Sequence, residues 1–184
     1  MVRDLPIAVG KSHAQRLTSL VDDHYDRLYR LARRLAPSAD DALDLVQETF
    51  LKAARSAKSI PAGAMNEEAW LVRVLINIRR DQWRKASVRE RHHKQSGSED
   101  HWTRTGRNPE TELIARTTVW QALDTLPPRR RAIVVMHELD GLDVPSIASL
   151  LGISAITVRW HLSMGKRDLS RVLKPYMGDS HEEP

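Results

Sequence analysis

The chain has no cysteine. That excludes disulfides, thiolate zinc sites and a cysteine nucleophile, and it fits a reducing compartment. No stretch approaches the roughly 20 apolar residues that a bilayer-crossing helix needs. The opening Met1–Gly10 run is broken by Arg3, Asp4 and Pro6 and is too short for a signal peptide. A soluble, cytoplasmic protein without membrane insertion is the expectation. The alternating apolar pattern of half-buried strands is absent, and β-branched clusters such as Ile133-Val134-Val135 fall within helical periodicity. There is no glycine-rich phosphate loop, no Gly-x-Ser-x-Gly elbow and no Ser/His/Asp array, so nothing argues for an enzyme or for a cofactor.

What the chain does have is basic charge and helical periodicity. It has 184 residues, a formal charge of +5 and a pI near 9.8. A basic balance favours a polyanionic partner, either nucleic acid or an anionic membrane surface. With 41% hydrophobic residues, at least one core can form.

Leu17, Leu20, Val21, His24, Leu28, Leu31 and Leu35 recur at spacings of three and four, which predicts an amphipathic helix over 14–36 that Pro37 ends. Ser38 and Asp40 can cap a second helix to about 57, burying Ala42, Leu43, Leu45, Val46, Thr49, Phe50 and Ala53. After the loop around Pro61 and Gly63, Asn66 can cap a third, reaching about Ala86, with Trp70, Leu71, Val74, Leu75 and Ile78 as its stripe.

Residues 87–109 lose this periodicity and read as a flexible linker. Pro109 then opens a helix anchored by Leu113, Ile114, Val119, Trp120 and Leu123. Pro127-Pro128 breaks it and starts the next, whose apolar side is Ile133 to Met136 with Leu139, and which Gly141 ends. Short helices over 144–151 and 155–173 precede a frayed tail.

The expected fold class is all-α: two small helical domains joined by a flexible linker, the C-terminal one containing a helix-turn-helix. The expected divisions are an N-terminal extension 1–13, a first domain 14–88, a linker 89–109, a second domain 110–176 and a tail 177–184.

The sharpest pattern lies over 144–162. Ile147, Ala148 and Leu151 line a short helix, Gly152 suits a tight turn, Ile153 plugs the corner, Ser154 can cap, and Val158 and Leu162 face inward. This is a helix-turn-helix, whose second helix enters the major groove. Its remaining face would display Thr157, Arg159, Trp160, His161, Ser163, Lys166 and Arg167.

Two more surfaces stand out. Burying the apolar side of 38–57 leaves Asp41, Asp44, Gln47, Glu48 and Lys52 outside. Asp44 and Glu48 share a face at i, i+4. Such a pair reads as a solvated face, as an acidic docking face, or as two carboxylates for acid/base work. On 66–86, Arg73, Asn77, Arg80, Asp81, Trp83, Arg84 and Lys85 mix basic groups with tryptophan, a combination suited to phosphates and unpaired bases. Trp70 reads better as core; Trp83 fits core or surface. His92, His93 and His101 lack metal-ligand spacing, so no metal is expected.

These segments, in this order, resemble the extracytoplasmic-function (ECF) sigma factors of the sigma-70 family. Residues 44–53 (DLVQETFLKA) are similar to the family's polymerase-binding helix, and 70–85 (WLVRVLINIRRDQWRK) to its promoter-melting helix. Residues 126–142 (LPPRRRAIVVMHELDGL) and 150–162 (LLGISAITVRWHL) resemble its second domain and helix-turn-helix. The resemblance spans about 14–175. It implies that Asp41, Asp44, Gln47, Glu48 and Lys52 bind core RNA polymerase. Arg73, Asn77, Arg80, Asp81, Trp83 and Arg84 would hold downstream promoter DNA. Ser154, Thr157, Arg159, Trp160, His161, Ser163, Lys166 and Arg167 would meet the upstream element. It also implies an anti-sigma partner and a linker threaded through the polymerase.

The chain departs from the family pattern at Leu43, at Ala155-Ile156, and at Trp160, Met164 and Gly165. A glycine within a long helix costs about 1 kcal/mol relative to alanine.

Overall fold

The computed structural model describes residues 7–95 and 111–177, with side chains over 14–89 and 118–175. The expected tail beyond Met177, most of the expected linker, the helix start at Pro109 and His101 lie outside what is described, as do the side chains of His92, His93, Leu113 and Ile114.

Seven α-helices and one 3-10 turn make up the described chain, without a strand among its residues. The helices are α1 (Ile7–Leu35), α2 (Ala39–Arg55), α3 (Ala64–Gln95), α4 (Thr111–Asp124), α5 (Pro128–Glu138), α6 (Val144–Leu151) and α7 (Ala155–Met177). In α1 most of the periodic set is buried: Leu20, His24, Leu28, Leu31 and Leu35 are all under 9% exposed, while Leu17 and Val21 are half-buried. In α2 the stripe Ala42, Leu45, Val46, Thr49 and Ala53 is shut from water. Ser38 caps α2, its Oγ accepting from the Asp41 amide at 3.0 Å and donating to the Asp41 carboxylate at 2.6 Å. That reciprocal pair satisfies an amide that the first helical turn leaves without an internal partner.

Several boundaries differ from expectation. Helix α1 begins at Ile7, inside the expected extension, directly after Pro6 in the sequence. Helix α3 starts two residues early because Gly63, at φ 98°, turns the chain and its carbonyl accepts from the Asn66 and Glu67 amides. Asn66 is therefore inside the first turn and is not its cap; its Nδ2 donates to the Ala62 carbonyl at 3.0 Å. Helix α3 also continues to Gln95, through the start of the expected linker, since no glycine or proline interrupts the sequence before Gly97. Helix α7 runs to Met177 and accommodates Pro175 in its last turn.

Two expected anchors are exposed. Leu139 is the C-cap of α5 and is 50% exposed, beyond the buried run Ala132 to Met136. Val119 is 44% exposed, one turn before the point where α4 meets the core at Ala122 and Leu123.

The larger difference concerns how the halves meet. Helices α1–α3 form one bundle and α4–α7 another, but α3 packs on α1 and α2 and also on α5 and α6. Besides the expected Leu71, Leu75 and Ile78, it buries a second stripe, Val72 and Ile76, each 3% exposed. Val72 shares a cleft with Leu31, Met136, Leu142 and Leu150. An ion pair between Arg34 of α1 and Asp140 after α5 sits at its rim.

Inside the second bundle Gly165 explains a sequence departure. A Cβ there would meet Val134 Cγ2 at 2.5 Å and Arg130 Cγ at 3.4 Å, so the missing side chain lets α7 lie close on α5. The glycine is needed for contact, and its intrinsic helix cost is offset by that approach. Replacing Gly165 with alanine should therefore destabilise, since Val134 is buried and stiff at χ1. An overpacking cost of about 1–2 kcal/mol should lower Tm by about 2–8 °C in a thermal melt. An unchanged or raised Tm would mean that α5 and α7 have room to spare.

Candidate nucleic-acid interface

The helix-turn-helix forms as the spacing requires. Asp143 caps α6, its Oδ1 accepting from the Ser146 amide at 2.8 Å, and bonds from the Ser146 hydroxyl and then its amide hold the carboxyl below the usual carboxylate range. Ile147 and Leu151 are buried. Gly152 takes φ 64° and ψ 41°, the left-handed geometry that ends α6, and the Ile153 amide bonds back to the Ala148 carbonyl. Ser154 caps α7 by accepting from the Thr157 amide at 3.1 Å, and its hydroxyl also meets the Thr157 hydroxyl. Val158 and Leu162 are buried. The outward residues Arg159, Trp160, Ser163 and Arg167 are exposed, as is Lys166, whose Nζ lies 3.0 Å from Glu138. That bond, with one from His137, keeps the Glu138 carboxyl below its ordinary value.

His161 differs from the others expected with it. It is half-buried, its Nδ1 shielded and without a partner, and its ring edge meets Trp160 at a centroid distance of 4.8 Å. Burial, then the positive charge of Arg130 and Arg129, lowers its pKa. Arg130 is a residue that sequence reading passed over. It is paired with Asp168 and stands 5.6 Å from the Trp160 ring, so one guanidinium ties α5 to α7 and steadies the indole. Only its clash-free neighbour Gly165, four residues after His161, hinted that α5 and α7 come so close.

Helix α3 carries the second basic surface. Arg80, Trp83 and Arg84 are exposed, Asp81 lies 3.8 Å from both arginines, and Asn77 is half-buried. Trp83, at 36% exposed, is on the surface side of its two alternatives, and Trp70 packs against the core. Arg73 stands apart from this group. Its guanidinium lies against the turn of the helix-turn-helix, 2.9 Å from where a Cβ of Gly152 would be. Arg79, on the other flank, was not foreseen. It donates to the Leu35 carbonyl at 3.0 Å, closing the end of α1, and burial draws its pKa down against the opposing pull of Asp41.

On α2, Asp41, Asp44, Gln47, Glu48 and Lys52 are all exposed, with Gln82 of α3 donating to Glu48 at 3.4 Å. Asp41 is engaged with Ser38, so Asp44, Gln47 and Glu48 form the open part. Leu51, 55% exposed, continues that face and was missed because a single apolar residue carries no period.

This geometry defines a helical protein built to meet nucleic acid. Residues 20–89 match the family sigma-70 region 2, and 116–169 match sigma-70 region 4. The ECF RNA polymerase sigma factor SigL of Mycobacterium tuberculosis is 32% identical, over 89% of this chain and 92% of its own length. The ECF RNA polymerase sigma factor SigE of Mycolicibacterium smegmatis is 34% identical over 88% of this chain, which spans 63% of that relative's length. Among solved structures, the sigma factor RpoE in complex with the anti-sigma factor NepR from Bartonella quintana shares the fold at TM-score 0.59 and 24% identity, covering 89% of this chain and 98% of that one. CnrH in complex with the cytosolic domain of CnrY does so at 0.57 and 22%, covering 90% and 94%. The chain belongs to the ECF sigma factors of the sigma-70 family, regulatory proteins that recognise promoters in transcription initiation. Among the described residues no single helix is long and apolar enough to cross a membrane.

The lowered His161 pKa has a measurable consequence. Its neutral form is favoured by folding, so the stability it contributes is present above about pH 6.5, the unfolded value, and is lost as pH falls through the folded one. The His161 ring should titrate by NMR below 6.5. Moving from pH 7.5 to 5.5 should lower Tm more in the wild type than in His161→Gln. Equal losses in the two proteins would mean that the ring is solvated in the fold.

Proposed function

We propose that residues 14–88 dock on core RNA polymerase and hold the melted downstream strand, that 110–176 lay α7 in the duplex of the upstream element, and that 89–109 connect the two. The chain would supply address and melting, and the polymerase the chemistry; no catalytic role is assigned to Asp44 or Glu48. The observation that carries this reading is the outer face of α2. Asp44, Gln47, Glu48 and Leu51 stand exposed on a helix whose other side is fully buried, on the domain that lacks the helix-turn-helix. A repressor that reads duplex DNA has no use for such a face, whereas carboxylates around one apolar residue suit docking on a basic protein surface. Reversing Asp44 and Glu48 to lysine should abolish co-purification with core polymerase and leave helicity by circular dichroism unchanged. Normal co-purification would remove this reading.

The similar RpoE structure holds an anti-sigma factor, and we extend that to this chain: an anti-sigma partner would compete with polymerase for these faces in the cytoplasm. The closed packing of the bundles also bears on mechanism. With Arg73 half-buried against the Gly152 turn, parting of α3 and α6 would free it fully for the downstream strand, whereas Arg80 and Arg84 are exposed in the closed chain.

Melting separates a sigma factor from a repressor. Unstacked bases cost a few kcal/mol, which stacking and hydrogen bonds to the captured strand must return. Asn77 and Arg80 are the polar residues best placed for this, with Trp83 three residues beyond Arg80 as a stacking surface. Asn77→Ala with Arg80→Ala should still assemble with polymerase and bind the upstream element, yet fail to open the promoter. Thymine reactivity to permanganate should drop to the duplex level, and a pre-melted bubble should partly restore transcription. Wild-type reactivity in the double variant would show that α3 does not capture the strand.

A further inference from the structure

We propose that Ile156 and Trp160 read thymine methyl groups on the floor of the major groove, so that apolar contacts set part of this chain's upstream base preference. The inference rests on the placement of α7 in the upstream duplex argued above. It begins with exposure: Ile156 is 73% and Trp160 53% exposed on a helix whose opposite side holds Val158 and Leu162 at 0% and 7%.

A single exposed apolar residue is ordinary. These two are four apart, so they are neighbours on one face. At about 100° per residue, the ridge Ile156, Trp160, Ser163 and Arg167 lies directly opposite Val158, Leu162, Gly165 and Leu169. That ridge projects farthest from the core. Arg159 and Lys166 lie to one side of it, where phosphates rather than base edges would be met. Ile156 and Trp160 also occupy the first two turns of the second helix, the part of a helix-turn-helix that reaches base edges.

Charge identifies the occupant. Arg159 and Lys166 flank the ridge and Arg167 continues it, while the nearest carboxylate on α7, Asp168, is taken up by Arg130 and Glu138 of α5 by Lys166. An apolar strip within a basic rim fits a polyanion that carries apolar marks, and the thymine methyl is that mark in the major groove. Trp160 is also held in advance: Arg130 sits 5.6 Å from its ring centroid and the His161 ring 4.8 Å. An indole already fixed loses little rotamer freedom on contact.

The test uses the full chain with core polymerase on promoter duplexes selected from a random library, with each upstream thymine replaced in turn by uracil, which lacks only the methyl. Wild-type affinity should fall about three- to five-fold at one or two positions, the value of one buried carbon. Ile156→Ala and Trp160→Ala should each bind thymine and uracil alike at one of those positions. Arg159→Ala, weaker overall, should keep the discrimination. Uracil tolerated everywhere by the wild type, with binding still dependent on the upstream sequence, would overturn the inference and leave α7 as the reader. Discrimination retained in both variants would overturn it too and assign the methyl contacts to other residues. Binding indifferent to a scrambled upstream element would remove α7 from the duplex, and both readings with it.

Discussion

Helix α3 is apolar on two adjacent stripes, and everything else in the molecule is arranged around that fact. Leu71, Leu75 and Ile78 complete the first bundle, while Val72 and Ile76 are covered by the second. A helix with one stripe packs on one layer. With two it becomes a shared wall, so the two halves meet in one continuous core. The polar residues left to α3 are consequently sorted by depth: Arg73 against the helix-turn-helix, Arg79 on the end of α1, and Arg80, Trp83 and Arg84 in solvent.

Most of the fold was legible because each helix carries a clear 3.6-residue period and its caps are local. Ser38, Pro128, Gly152 and Ser154 act where the sequence places them. Ends were harder wherever the boundary depends on backbone geometry more than on residue type. Asn66 looks like a cap, yet the turn at Gly63 starts α3 earlier. Val72 and Ile76 could not be assigned from α3 alone, because their burial comes from helices far along the chain.

The candidate surfaces were legible to the extent that they are local. The outward face of α2 follows once its buried stripe is known, and so does that of α7. What escaped is tertiary. Arg130 matters through Asp168 and Trp160, at separations of thirty residues or more in sequence. Gly165 reads as a weakness in an isolated helix and as a necessity beside Val134. His161 reads as a contact residue, although its Nδ1 is shielded. Of the departures from the family pattern, Gly165 and Trp160 take their meaning from packing against α5.

The burial of Val72 and Ile76 between the bundles has a thermodynamic consequence. Each branched side chain is worth about 1.5–3 kcal/mol when fully withdrawn from water, and even a fraction of that favours the closed chain. A partner that binds only the open form finds its affinity reduced by the fraction of molecules that are open. Every 1.4 kcal/mol of closure lowers that fraction tenfold. A partner that reaches for Arg73, which lies against the Gly152 turn, carries that loss, whereas the outward face of α7 is already presented by the closed chain.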